Sequence, residues 1–158
     1  MTSAFLRQRW IPAPDTMEAE IRRSLSGICK YDCFDHALQP EFHSCDYAKK
    51  SVTIRYHILP WMRNVLGIPH GGIYAAMCDD SMGINASYWA GTPNTPTISM
   101  QQNFLHAADE GDTLLFQSVA DSVGRSLIHV SVQCWAEKDP SRILMTATGV
   151  YYNPGTKQ

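Results

Sequence analysis

Across residues 51–59 apolar and polar side chains alternate, with Val52, Ile54, Tyr56 and Ile58 set against Thr53, Arg55 and His57. A period of two predicts a half-buried strand, here closed by Pro60. The pattern then changes. Residues 71–90 carry Ile73, Tyr74, Ala75, Ala76, Met77, Met82, Ile84 and Ala86, apolar on nearly every face. That spacing predicts one helix, buried all round, with Pro69-His70 ahead of it and Gly91, Pro93 and Pro96 stopping it.

Four further strands are predicted. Ile98, Met100 and Phe104 alternate with Ser99, Gln101 and Asn103. Leu114, Phe116 and Ser118 alternate with Leu115, Gln117 and Val119, and Ile128, Val130, Val132 and Cys134 with His129, Ser131 and Gln133. The last strand spans residues 142–152. The gaps hold turn residues: Asp109-Glu110-Gly111-Asp112, Val123-Gly124-Arg125 and Asp139-Pro140-Ser141. Short connections favour antiparallel neighbours. The expected fold class is therefore α+β, an antiparallel sheet wrapped on one long helix.

The earlier part of the chain is less regular. Residues 1–14 carry Phe5, Leu6, Trp10 and Ile11 and read as an arm that packs its aromatics. Asp15 as N-cap, Glu18 three residues on and Gly27 as a stop frame a short helix with Met17, Ile21 and Leu25 as its apolar stripe. Residues 28–50 mix Cys, His, Asp and aromatics without a clean period. The expected organisation is an N-terminal arm and short helix over 1–47 and the main domain over 48–153.

Composition narrows the function. The 158 residues suit one domain, and 44 % apolar with 18 % charged residues can bury a core. Thirteen Lys and Arg against fifteen Asp and Glu leave a charge of −2 and no basic stripe, so nucleic acid is not an expected partner. No run approaches the roughly 18 apolar residues of a spanning helix, so no membrane partner is expected either. The N-terminus lacks a signal-peptide stretch, and five irregularly spaced cysteines do not resemble a secreted disulfide framework. The expected location is cytoplasmic.

Candidate chemistry centres on Asn64 to Gly72 and the helix that follows. Gly71 and Gly72 at the helix start admit close approach to the backbone, and the N–H groups there suit an anion or a developing oxyanion. His70-Gly71-Gly72 serves equally well as an ordinary helix entry, and the residues alone leave both readings open. Asp79 and Asp80 are the only charged residues in the helix. A desolvated, unpaired carboxylate there costs several kcal/mol, so each needs a partner, with Arg55, Arg125 or a backbone N–H as structural candidates. Asp79 follows Gly71 by eight residues, ~12 Å along the axis. One chain's Asp79 does not easily reach a carbonyl held at its own Gly71, whereas an antiparallel second chain can bring its Asp79 there. Cys29, Cys33, His36, His43 and Cys45 offer zinc ligand types, but their spacing matches no physically justified arrangement, and no metal is expected. Cys78 reads as a small core residue, and His57, His106 and His129 as packing or surface residues.

The spacing of Asn64, His70-Gly71-Gly72 and Asp79 resembles the hotdog-fold acyl-CoA thioesterases, above all the phenylacetate-pathway (PaaI-type) and thioesterase-superfamily-member branch. The resemblance runs over residues 48–152 and takes in Asn103-Phe104-Leu105, Gly111-Asp112-Thr113-Leu114, Gly124-Arg125-Ser126 and Ala147-Thr148-Gly149. It implies one strand, a central helix and four strands, and hydrolysis of an acyl-CoA thioester to free acid and CoA. No cofactor is implied, coenzyme A entering only as part of the substrate. The implied assembly is a homodimer or homotetramer with sites shared between subunits. The resemblance also implies roles. The Gly71 N–H polarises the thioester carbonyl, with Gly72 beside it at the substrate mouth. Asp79 of the opposing subunit is nucleophile or general base. Asn64 and His70 position the carbonyl or the loop, and Thr97 helps hold the attacking water. Gly124, Arg125 and Ser126 form a turn that contacts the nucleotide of CoA; Lys138 and Arg142 are either further phosphate candidates or, as Arg125 can also be, solvated hairpin charges. Trp61, Met62 and Trp89 either line an acyl pocket or are ordinary aromatic and core residues. A hotdog hydratase or dehydratase, which His70 keeps open, and a non-catalytic acyl-CoA-binding module are the alternatives.

Overall fold

The computed structural model describes residues 7–28, 30–109 and 111–155. Phe5, Leu6, Cys29 and Glu110 lie outside them. Helix α1 (Met17–Ile28) buries the expected stripe of Met17, Ile21 and Leu25. It starts with the carbonyl of Thr16 accepting from the Glu20 N–H, which puts Thr16 rather than Asp15 at the capping position, and it runs through Gly27 before ending. The stretch without a clean period holds two elements. Helix α2 (Phe34–Leu38) is closed by Gln39 in the left-handed conformation, and strand β1 (Glu41–Asp46) follows. Strand β1 pairs antiparallel with β2 (Ser51–His57), so the sheet begins ahead of residue 48.

Strand β2 is better shielded than alternation predicts. Val52, Ile54 and Tyr56 are buried, and so are Ser51 and Thr53 on the opposite face. The strand is interior to the sheet, with a hydrogen-bonded neighbour on each side. It ends at His57, and Pro60–Met62 form a single 3-10 turn.

Helix α3 spans Gly71–Ala90, as the apolar pattern predicts. It packs Met77, Cys78, Met82 and Ala86 into the core. Burial is not all round: Ala76, Asp79, Asp80, Gly83 and Ser87 form a half-exposed stripe facing a cleft. Gly91, at φ +67°, ends the helix with its N–H on the Ser87 and Tyr88 carbonyls.

Strands β3 (Thr97–Phe104), β4 (Thr113–Val123), β5 (Leu127–Ala136) and β6 (Asp139–Tyr152) complete one antiparallel sheet in the order β1-β2-β4-β5-β6-β3. The expected turn at Asp139-Pro140-Ser141 is instead the start of β6. A two-residue reversal at Glu137-Lys138 draws Asp139 into the ladder opposite Ala136. Lys138 is held there by Asp109 at 2.8 Å and Asp112 at 2.6 Å. Strand β3 is an edge strand that leaves Ile98 and Phe104 more than half exposed.

The N-terminal arm lies against the end of α3. Trp10 is buried; its backbone N–H donates to the Gly91 carbonyl and its indole N–H to the Tyr88 carbonyl. The Tyr88 hydroxyl donates to the Ala13 carbonyl at 2.9 Å. Trp10 is thus the packed aromatic of the arm, and Ile11 beside it is exposed. No described helix is long and apolar enough to cross a membrane.

Candidate active site

Asp79 sits on the half-exposed stripe of α3, between the first residue of β3 and the penultimate residue of β6. Inward positions on β6 are Met145, Ala147, Gly149 and Tyr151. A Cβ on Gly149 would come within 2.9 Å of the Tyr151 ring and 3.0 Å of Met82 Cε, so only glycine leaves this ring its place. The Tyr151 hydroxyl then donates to Asp79 Oδ1 at 2.8 Å and approaches the Asp79 carbonyl at 3.1 Å. Thr97 donates its hydroxyl to the same Oδ1 at 2.8 Å. Asp79 Oδ2 has no partner among the described residues. Burial, and then the Asp79 charge, push the Tyr151 phenol far above its usual range, so it stays a proton donor.

Asp80 has a different partner. The Tyr56 hydroxyl donates to its Oδ2 at 2.7 Å, and Ser81 Oγ lies 3.0 Å from that hydroxyl. Burial pushes the Asp80 carboxyl up to about 7; the Tyr56 hydrogen bond opposes the rise, and the charges of Asp35 and Asp79 add to it. Asp35, on α2, is raised by burial first and by Asp79 second. Neither helix carboxylate uses arginine: Arg55 pairs with Glu137 and, at 4.0 Å, Glu41. Asp79 and Asp80 line one cleft of about 370 Å³ together with Thr97, Tyr151, Phe34 and Asp35.

The helix entry is a separate construction. The His70 backbone N–H donates to the Met62 carbonyl at 2.8 Å. Its Nδ1 accepts from the Gly72 N–H at 2.9 Å, and its carbonyl accepts from Ile73 and Tyr74. His70 therefore acts as the N-cap, with the neutral ring's proton on Nε2. Once this cap is made, the Gly71 N–H is left without a partner among the described residues, at the positive end of α3. Asn64 shapes the preceding loop: its Oδ1 accepts from the Leu66 N–H at 2.8 Å, and its carbonyl from Gly67, which adopts φ +79°.

The turn at Gly124-Arg125-Ser126 joins β4 to β5. Asn153 pins it, donating from Nδ2 to the Gly124 carbonyl at 2.7 Å and from its backbone N–H to the Ser126 carbonyl at 2.8 Å. Arg125 lines a second cleft, of about 980 Å³, with Arg9, Trp10 and Trp89. That cleft reaches Ala90, ~16 Å along α3 from Asp79. The structure thus unites Asp79 with Thr97, places Asn64 in the loop that leads into the His70-Gly71 helix entry, and sets the Arg125 turn apart.

The residues that hold the two acids, Tyr151 and Tyr56, were not among the sequence-derived candidates. A buried tyrosine needs a hydrogen-bond partner. Two inward tyrosines on strands packed against a helix with two acids were the available signal. Of the remaining candidates, Cys78 is buried and its thiol pushed up to about 12 by desolvation. Met62 is core, Trp61 is half-exposed, and Trp89 packs on Tyr47 and Tyr88. Among the described residues no three His, Cys, Asp or Glu side chains are grouped to hold a metal.

Residues 66–143 match the family described as the thioesterase superfamily, a segment that contains His70, Gly71, Asp79, Thr97 and Arg125 and stops short of Tyr151. No curated protein sequence matches the chain significantly. Among solved structures, zebrafish thioesterase superfamily member 2 superposes with a TM-score of 0.75 at 18 % identity, over 84 % of this chain and 95 % of that one. The Escherichia coli PaaI protein gives 0.74 at 14 % identity, over 88 % and 96 %. A Streptococcus mutans protein bound to acetyl-CoA gives 0.66 at 22 % identity, over 75 % and 91 %. One long helix laid in a single antiparallel sheet gives the chain a hotdog fold, and its residues from the helix entry to β6 are similar to the thioesterase superfamily.

Proposed function

We propose that the protein hydrolyses acyl-CoA thioesters to a free acid and CoA, with Asp79 as base or nucleophile and the Gly71 N–H as oxyanion donor. The observation that carries this reading is the Asp79 carboxylate itself. One oxygen is gripped by two hydroxyls and the other has no partner among the described residues, at the rim of a cleft. Acting as base, Asp79 Oδ2 takes a proton from water as the water oxygen bonds to the thioester carbonyl carbon. The carbonyl electron pair moves to oxygen, where the Gly71 N–H and the α3 dipole stabilise it. Collapse of the adduct breaks the C–S bond, and the departing thiolate recovers the proton. In the direct variant the same oxygen attacks carbon, and water then cleaves the resulting anhydride.

Gly71 and Asp79 of one helix are ~12 Å apart along its axis, so the complete site takes them from two antiparallel chains. The exposed Ile98 and Phe104 of edge strand β3 supply apolar surface for such a homodimer or larger assembly. Asn64 and His70 hold the helix entry, and Gly72 keeps the mouth free of a side chain. Gly124, Arg125 and Ser126 seat the CoA nucleotide, with the guanidinium on phosphate. The relative bound to acetyl-CoA supports this ligand class. The His70 Nδ1 is spent on the cap, which counts against a histidine-based hydratase.

The test is thiol release from acyl-CoA by the native protein, Asp79→Asn and Asp79→Ala. Turnover is expected to fall by about 10²–10⁴ while acyl-CoA still binds. Unchanged turnover removes Asp79 from the mechanism. Binding by the native protein without any thiol release identifies a binding module instead.

A further inference from the structure

The acid-bearing face of the cleft comes from α3, β3 and β6, and its opposite wall from the N-terminal part of the chain. Ser24 and Ile28 of α1 and Phe34 and Asp35 of α2 line that wall. All four precede the residues that match the superfamily. At about 370 Å³ the cleft lies at the small end of the roughly 300–1,000 Å³ usual for ligand pockets. Phe34 stands at its lip more than half exposed, so it contributes little to the core. Among the described residues, the side chains lining the cleft include three carboxylates, Asp35, Asp79 and Asp80, and no lysine, arginine or histidine. Asp35 makes no hydrogen bond or ion pair within the described residues.

We propose that α1 and α2 form the acyl-specificity wall of this site, with Phe34 limiting the length of the acyl group and Asp35 refusing acyl groups that end in a carboxylate. The inference rests on the thioesterase reading and adds its substrate class: uncharged acyl groups of short to medium length or of a single ring. A longer chain runs into Ile28 and Phe34. A dicarboxylic acyl group brings its distal carboxylate into a cleft whose described residues offer it no cation and places like charge beside it, which disfavours its binding. The groups facing such a carboxylate are Asp79 and Asp80 of α3, Asp35 of α2 and the protonated Tyr151 of β6, with Tyr56 of β2 behind Asp80. Since burial raises Asp80 to about 7, the discrimination grows as pH rises from 6 to 8.

The experiment measures kcat/KM by thiol release on butyryl-, hexanoyl-, dodecanoyl- and glutaryl-CoA for the native protein, Phe34→Ala and Asp35→Asn. The native protein should prefer hexanoyl- over dodecanoyl-CoA and butyryl- over glutaryl-CoA. Phe34→Ala should raise the dodecanoyl-to-hexanoyl ratio at least tenfold, and Asp35→Asn the glutaryl-to-butyryl ratio at least tenfold, about 1.4 kcal/mol each. Hydrolysis of the neutral substrates with both ratios unmoved by the substitutions overturns the specificity wall and leaves the thioesterase reading standing. A native preference for dodecanoyl- or glutaryl-CoA overturns it as well. Absence of thiol release from every substrate fells the thioesterase reading, and the wall with it.

Discussion

Replacing Asp80 with Asn should change how stability depends on pH. The folded-state carboxyl is raised from its ordinary 3.8 to about 7 because it sits in a poorly solvated cleft wall with Asp35 and Asp79 nearby. Between these values the folded protein holds a proton that the unfolded chain has released. The stability this contributes is complete below the unfolded value and is lost as pH rises through about 7. The span corresponds to ~4 kcal/mol at most, since the partial exposure of Asp80 screens part of it, and roughly 2–3 kcal/mol of that falls between pH 5 and 9. Asparagine keeps an oxygen for the Tyr56 hydroxyl and cannot ionise. Urea melts of both proteins at pH 5, 7 and 9, at one protomer concentration, provide the assay. The native protein should lose stability relative to Asp80→Asn as pH rises, by ~1 M or more in midpoint for a urea dependence of ~2 kcal/mol per molar. Parallel pH curves for the two proteins would refute the reasoning, because then no proton is held at position 80.

Tyr151→Phe keeps the ring against Gly149 and Met82 but removes one of the two hydroxyls on Asp79 Oδ1, so kcat should fall about tenfold, ~1.4 kcal/mol, with the melting temperature little changed. An unaltered kcat would show that the Thr97 hydroxyl alone orients the carboxylate. Light scattering should find a dimer or larger species, and a fully active monomer would contradict a site shared between two chains.

Long elements were legible in the sequence because one face decides their burial. Twenty residues of largely apolar pattern gave α3 its correct ends, and alternating positions located β4 and β5. Strand β1 was hidden for physical reasons. It has six residues, neither face is fully buried, and a bulge between Phe42 and Ser44 breaks the period. The β5–β6 reversal was misplaced because Asp139-Pro140-Ser141 carries turn residues, while the ladder and the Lys138 ion pairs put the turn two residues earlier. At the site, acids and glycines stood out against an apolar helix, so Asp79 and Gly71 could be singled out. Tyr151 could not, since a tyrosine on an alternating strand reads as core until its hydroxyl is seen to reach a carboxylate. The cap made by His70 was likewise invisible, because which imidazole nitrogen meets which backbone N–H is a matter of three-dimensional placement.

The two sides of the Asp79 cleft belong to stretches of chain that answer to different demands. Thr97 and Asp79 must keep their register to within a hydrogen bond, whereas α1 and α2 need only hold their stripe on the sheet while their outward residues drift. On the reading proposed above, such a layout separates inheritance from adaptation: a lineage changes its diet by rewriting α1 and α2, and a protein engineer can graft that stretch between homologues, while Asp79 and Thr97 stay untouched.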